Sequence, residues 1–141
     1  MQLPARVHYA ALAMMELAIT ANRSQPLSLR EITQRHGIPQ PFLVQIIQQL
    51  KTAGWVTSTR GSQGGYRIAV AAKNLTLLDV AEAVGCQEAG CSADSLPNAA
   101  SRQLMKVWDK AGDAYRDVLA SVTIAEIAKS SDKTESTMFY I

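Results

Sequence analysis

Near the start of the chain, Val7, Ala10, Ala11, Met14, Leu17 and Ala18 recur at steps of three and four. That period belongs to a helix with one face on a core, and it predicts a first helix from Ala5 to about Asn22, with Pro4 at a tolerated first-turn position. Ser24-Gln25-Pro26-Leu27 interrupts it. Ser28 stands three residues before Glu31, the spacing of a capping box, and opens a short second helix ending near His36-Gly37. A third helix starts at Pro39-Gln40-Pro41, with Phe42, Leu43, Ile46, Ile47, Leu50 and Ala53 as its apolar side, and Gly54 ends it. The pattern then shifts to two short β-prone runs, Trp55 to Thr59 and Tyr66 to Val70, which read as a hairpin. Thr76 caps a helix from Leu77 to Val84, and a loop of small residues runs from Gly85 to Pro97. From Asn98 to Ser121 a long helix carries Leu104, Trp108, Ala111, Tyr115, Val118 and Val122 at alternating steps of four and three, nearly the period of a coiled-coil seam. Thr123 to Lys129 makes a short capped helix, and the polar run from Ser130 to Thr137 is expected to be a disordered tail.

This order defines a mainly α fold with a small β-hairpin: a winged helix-turn-helix domain plus a long C-terminal dimerisation helix. The domain covers 1–84, a sensor loop 85–97, the dimerisation helix with its capping helix 98–129, and the tail 130–141. The outward face of the third helix holds Gln40, Pro41, Val44, Gln45, Gln48 and Lys51. A glutamine offers donor and acceptor together to a base edge, so this face suits direct readout. An ordinary solvated face would have the same composition, and it is the neighbouring hairpin that favours DNA. The hairpin tip, Arg60-Gly61-Ser62-Gln63-Gly64-Gly65, lets backbone N–H groups and one arginine come close to phosphates or the minor groove. A nucleotide phosphate loop would run from a strand into a helix, whereas this one runs from strand to strand. On the long helix, a stripe left alone would expose Trp108 and Tyr115. Pairing with a second chain through Leu104, Trp108, Ala111, Tyr115 and Val118 is therefore expected rather than packing on the chain's own core.

Charge sharpens the picture. The 141 residues carry a formal net charge of only +2, yet residues 22–73 hold seven Lys or Arg against the single acid Glu31, a block of +6. Residues 74–141 hold six bases against ten acids. Concentrated positive charge attracts phosphate, so the helix-turn-helix and wing coincide with the part suited to DNA. No apolar run is long enough to span a membrane, and Glu16 inside Val7 to Ala21 argues against an export signal. Two cysteines are too few for a secreted disulfide scaffold, and the expected location is the cytoplasm.

These residues resemble the Rrf-two family of bacterial winged-helix regulators. The resemblance covers roughly residues 1–129 and is carried by Tyr9-Ala10, Ser28-Leu29-Arg30-Glu31-Ile32, Phe42-Leu43 with Gln45 and Leu50, the wing phrase from Ala53-Gly54-Trp55-Val56 to Arg60-Gly61-Ser62-Gln63-Gly64-Gly65-Tyr66, and Thr76-Leu77-Leu78-Asp79-Val80 with Glu82-Ala83. It implies a homodimer on a pseudo-palindromic double-stranded DNA operator, with the third helix in the major groove and Arg60 in the minor groove. Ser28, at the start of the second helix, completes the candidate DNA-contacting set. Where many members carry an acidic residue just before the glutamine of the third helix, this chain has Val44, which cannot accept from cytosine but can touch a thymine methyl.

Members that sense through an iron-sulfur cluster usually have three cysteines. This chain has Cys86 and Cys91, and Arg102 stands at the expected third position. Its only histidines are His8, where several relatives supply a ligand across the dimer interface, and His36, where some relatives with two cysteines use a histidine. The resemblance thus implies a [2Fe-2S] cluster held by Cys86 and Cys91 with His8 and His36 of the partner subunit. A cluster-free regulator with a Cys86/Cys91 thiol switch, or one answering a metabolite or protein partner, is the rival reading. A thiol enzyme is disfavoured, since the sequence supplies no oxyanion site or substrate motif.

Overall fold

The first helix, α1 (Ala5–Ile19), follows Pro4 and buries Val7, Ala10, Ala13, Met14, Glu16 and Leu17. The computed structural model describes residues 3–85 and 97–139, and the side chains of 3–85 and 97–132. Ser28 Oγ accepts from the backbone N–H of Glu31 while the Glu31 carboxylate accepts from that of Ser28, so the predicted capping box opens α2 (Leu29–His36). The helix ends at Gly37, whose φ of 65° is the left-handed conformation that glycine adopts without strain. Pro39 precedes α3 (Gln40–Thr52), which buries Leu43, Ile46, Ile47 and Leu50.

β1 (Val56–Thr59) and β2 (Gly65–Ile68) pair antiparallel with Val56 opposite Ile68 and Thr59 opposite Gly65. The sheet is extended at one point, where Tyr66 also exchanges two backbone bonds with Leu27 ahead of α2, at 3.0 and 2.7 Å. After a 3-10 turn, Thr76 and Asp79 form a second capping box at α4 (Leu77–Ala83). Asn98 caps α5 (Ala99–Ala120), and the chain then returns to the base of α4. There Ile124 N–H bonds to the Leu75 carbonyl and Leu77 N–H to the Val122 carbonyl. The core formed by α1, α3, α4 and the start of α6 (Ile124–Phe139) is filled by Met14, Leu17, Ile46, Leu50, Val80 and Ile124. No described helix is long and apolar enough to cross a membrane.

Three expectations need correction. The last helix does not stop at Lys129 before a disordered tail: α6 continues to Phe139. The run from Ser130 is polar, but it contains no Gly or Pro, and polarity alone does not break a helix already docked through Ile124 and Ala128. Phe42 is not part of the apolar face of α3 but 52% exposed; it stands about 90° of helix rotation from the middle of the buried stripe. Ala53, also assigned to that face, is the exposed C-cap of α3. The sensor loop, with Cys86 and Cys91, lies outside the described residues except for its ends.

Glu31 sits below its ordinary carboxyl value of 4.5, because the Ser28 backbone N–H and then Arg23, 2.9 Å away, favour the ionised form. A lowered folded-state value gives stability that is complete above pH 4.5 and lost as pH falls through the folded value. Urea unfolding from pH 7 to 3 is expected to show this acid-side loss, and Glu31→Gln is expected to make it shallower.

Candidate nucleic-acid interface and sensor residues

The helical period of α3 turns Gln40, Pro41, Val44, Gln45, Gln48 and Lys51 outward together, and all six are exposed. Lys51 also ties this helix to the hairpin, donating from Nζ to Ser58 Oγ on β1 at 2.9 Å. Arg67 on β2 donates to the carbonyls of Arg23 and Ser24 at 2.8 and 2.7 Å. The wing is thus fastened on one side to the reading helix and on the other to the loop before α2.

At the tip, Arg60, Gly61, Ser62 and Gln63 are exposed, and Arg60 makes no ion pair among the described residues. Gly61 has φ 118°, which strains any residue with a side chain. Gly64 and Gly65 are required by space: a Cβ on Gly64 would overlap the Thr59 carbonyl, and one on Gly65 would lie 2.5 Å from the Leu27 carbonyl oxygen. The glycines therefore set the turn and let the hairpin lie against the strand-like residue Leu27. Ser28, next in sequence, is half-buried with its hydroxyl committed to the capping box.

The structure separates the two histidines. His8 is exposed on α1, its ring 6.2 Å from that of Tyr9, and it lines an apolar cavity of about 250 Å³ together with Leu3, Val7, Met15, Leu119 and Ile127. His36 is turned inward. Its Nε2 lies 3.0 Å from Glu16 Oε1 without meeting the geometry of a hydrogen bond, and Arg35 Nε reaches the same oxygen at 3.1 Å. Glu16 is only 4% exposed, and its burial was not legible in a helix whose charged residue reads as solvent-facing. Eight residues of α1, about 12 Å of helix rise, separate His8 from Glu16. The two imidazoles therefore do not converge while His36 is held there. No group of three His, Cys, Asp or Glu gathers among the described residues, so a cluster would draw on residues 86–96 or a second chain.

Along α5 no residue is fully buried. Leu104, Trp108 and Val118 are more than half exposed, Ala111 is exposed, and Tyr115 is half-buried. Met105 and Val107 add to this apolar surface, which the sequence seam did not include.

A reading helix behind a glycine turn, flanked by a docked two-stranded wing, makes this a winged helix-turn-helix protein of the DNA-binding class. The family model described as an iron-dependent transcriptional regulator matches residues 3–130, and the chain belongs to that Rrf2 family of DNA-binding transcriptional regulators. It is 30% identical to Protein rrf2 of Nitratidesulfovibrio vulgaris over 93% of this chain and 89% of that protein. Among solved structures it is similar to T. potens IscR, with a TM-score of 0.76 and 29% identity over 95% of this chain and 90% of the other. It is also similar to CymR, the global cysteine regulator of B. subtilis, with a TM-score of 0.75 and 27% identity over 92% and 98%.

Because the Gly65 position leaves no room for a methyl group, Gly65→Ala is expected to break the Leu27–Tyr66 pairing. Hydrogen exchange checks it: the Leu27 and Tyr66 amides should exchange at least about tenfold faster, while Ile46 and Leu50 in α3 stay protected.

Proposed function

We propose that the protein is a homodimeric repressor or activator that binds a pseudo-palindromic operator and whose affinity follows redox or iron status. Gln40, Pro41, Val44, Gln45, Gln48 and Lys51 read the major groove, Ser28 supports the approach, and Arg60 with Gly61, Ser62, Gln63 and Gly64 enters the minor groove. Leu104, Trp108, Ala111, Tyr115 and Val118 of α5 pack on the second copy. Cys86 and Cys91 would hold a [2Fe-2S] cluster, with His8 and His36 as the partner-subunit ligands. The observation that carries this reading is the place of His8. It lies beside an apolar cavity, on a chain whose α5 leaves a matching apolar stripe uncovered, so a second copy covers both and meets His8 there.

When bound, such a cluster supplies a redox couple whose potential imidazole ligation raises. The chain's own part is mechanical. Arg35 ties the last turn of α2 to Glu16 on α1 at 3.1 Å, and the His36 imidazole lies beside the same carboxylate oxygen. To serve as a ligand His36 would have to turn away from Glu16, which leaves Arg35 as the tie beside Gly37 and the start of α3. The seating of the reading helix, and with it operator affinity, follows that change.

A second reading is favoured by the likeness to a global cysteine regulator and by the absence of the third family cysteine. In it, Cys86 and Cys91 form a reversible disulfide and no cluster is held. Anaerobic isolation with absorbance and iron analysis separates the two. Sulfur-to-iron bands, altered in His8→Ala, are expected for the cluster. Colourless, iron-free protein after reconstitution, with DNA binding that depends on thiol reductant, would establish the second reading instead.

Dimerisation is tested separately by sedimentation: Trp108→Asp should give monomers. Losing the tether between two half-sites should weaken operator binding by about 100-fold or more.

A further inference from the structure

Arg6 lies in the first turn of α1, outside both the candidate reading helix and the wing, yet its guanidinium reaches across to α3. Nε and Nη2 both donate to Gln49 Oε1, at 3.2 and 3.0 Å. Gln49 is neutral, so this contact fixes the direction of the guanidinium without cancelling its charge. Other arginines of the domain are spent differently: Arg23 on Glu31, Arg35 on Glu16, and Arg67 on two backbone carbonyls. A guanidinium has five N–H donors, and Gln49 takes two of them. Arg6 lines an open cavity of mixed character, about 480 Å³, whose other walls are Gln45, Gln48, Gln49 and Thr52 of α3 and Ala83 of α4. The immobilised cation therefore shares a cleft with two glutamines of the candidate reading face.

We propose that this cleft is a phosphodiester-binding site, in which Arg6, aimed by Gln49, holds a backbone phosphate of the DNA whose bases α3 reads. An external anion needs a cation that is fixed but not neutralised, with amide donors close by, and the cleft has both. A carboxylate in place of Gln49 would fix the arginine equally well and leave no charge for a phosphate. The site makes α1 a third DNA-contacting element beside α3 and the wing. It also sets register, because the phosphate gripped by Arg6 fixes how far along the groove Gln45 and Gln48 fall. The inference rests on the DNA-binding reading of α3.

The test is the slope of log affinity against log salt, measured for the full chain on an operator duplex and on a scrambled duplex. Arg6→Gln is expected to weaken both by a similar factor, on the order of tenfold, and to lower the slope by about 0.9 for each subunit engaged. Arg6→Lys should keep the slope, since the charge remains, and Gln49→Leu should weaken binding with the slope retained. If Arg6→Gln fails to fold, Arg6→Met takes its place, preserving the apolar stem. A slope equal to wild type in the neutral variant, at unchanged melting temperature, overturns the proposal and leaves Arg6 a positioning residue for Gln49. Inorganic phosphate replacing chloride at equal ionic strength is expected to give no Arg6-dependent rise in melting temperature. Such a rise together with an unchanged DNA slope assigns the cleft to a free anion and also overturns it. Wild-type protein that binds neither duplex would instead remove the DNA-binding reading itself.

Discussion

One acidic side chain inside the core determines how the helix-turn-helix is mounted. Taking a carboxylate out of water costs several kcal/mol even after the protein relaxes, so Glu16, almost fully buried on α1, is tolerable only with its partners in place. They come from the last turn of α2, where Arg35 pairs with the carboxylate and the His36 imidazole packs beside the same oxygen. An apolar contact could slide by an ångström at little cost, but this one cannot. The end of α2, the left-handed Gly37 and the start of α3 are therefore located by charge rather than by packing alone. Removing Arg35 would leave the carboxylate short of compensation, a far worse outcome than losing a surface ion pair such as Arg23–Glu31.

The wing is held by a different kind of constraint. Its position depends on backbone meeting backbone at Leu27 and Tyr66, which needs the missing side chain of Gly65. Lys51 and Arg67 then fasten its two strands to α3 and to the loop before α2. Charge thus places the helix and close backbone contact places the hairpin. Together they present the exposed polar face of α3 and the tip arginine on one connected support.

Local signals are legible in the sequence because they act locally. The Ser28–Glu31 capping box, the glycine after His36 and the Asn98 start of α5 each involve residues within four positions of one another, and each is present. Helical period also assigned the outward glutamines and the α5 stripe. What the sequence hid depends on residues far apart. Glu16 looks like a surface residue until Arg35 and His36 fold over it. Arg6 meets Gln49 across 43 positions. Phe42 fits an apolar pattern but lies at its edge, and α6 is polar yet continues because nothing breaks it. The candidate sensing residues are legible only as four Cys and His at suggestive places. The structure adds that His8 faces outward and His36 inward.

The path of the chain around α4 has an architectural consequence. That helix spans only Leu77–Ala83; the excursion leading into α5 departs just past its C-terminal end, and the return is stitched to its N-terminal end by the Leu75–Ile124 and Leu77–Val122 bonds. Entry and exit are thus separated by the length of one seven-residue helix, about 10 Å. The chain between them leaves and rejoins the winged domain within that span, and α5 touches the domain again where Arg116 lies 4.0 Å from Glu82 and Leu119 packs against the core. Any displacement of α5 is therefore delivered to one seven-residue helix at both of its ends, which makes α4 the hinge-plate through which the arm and the winged domain share load.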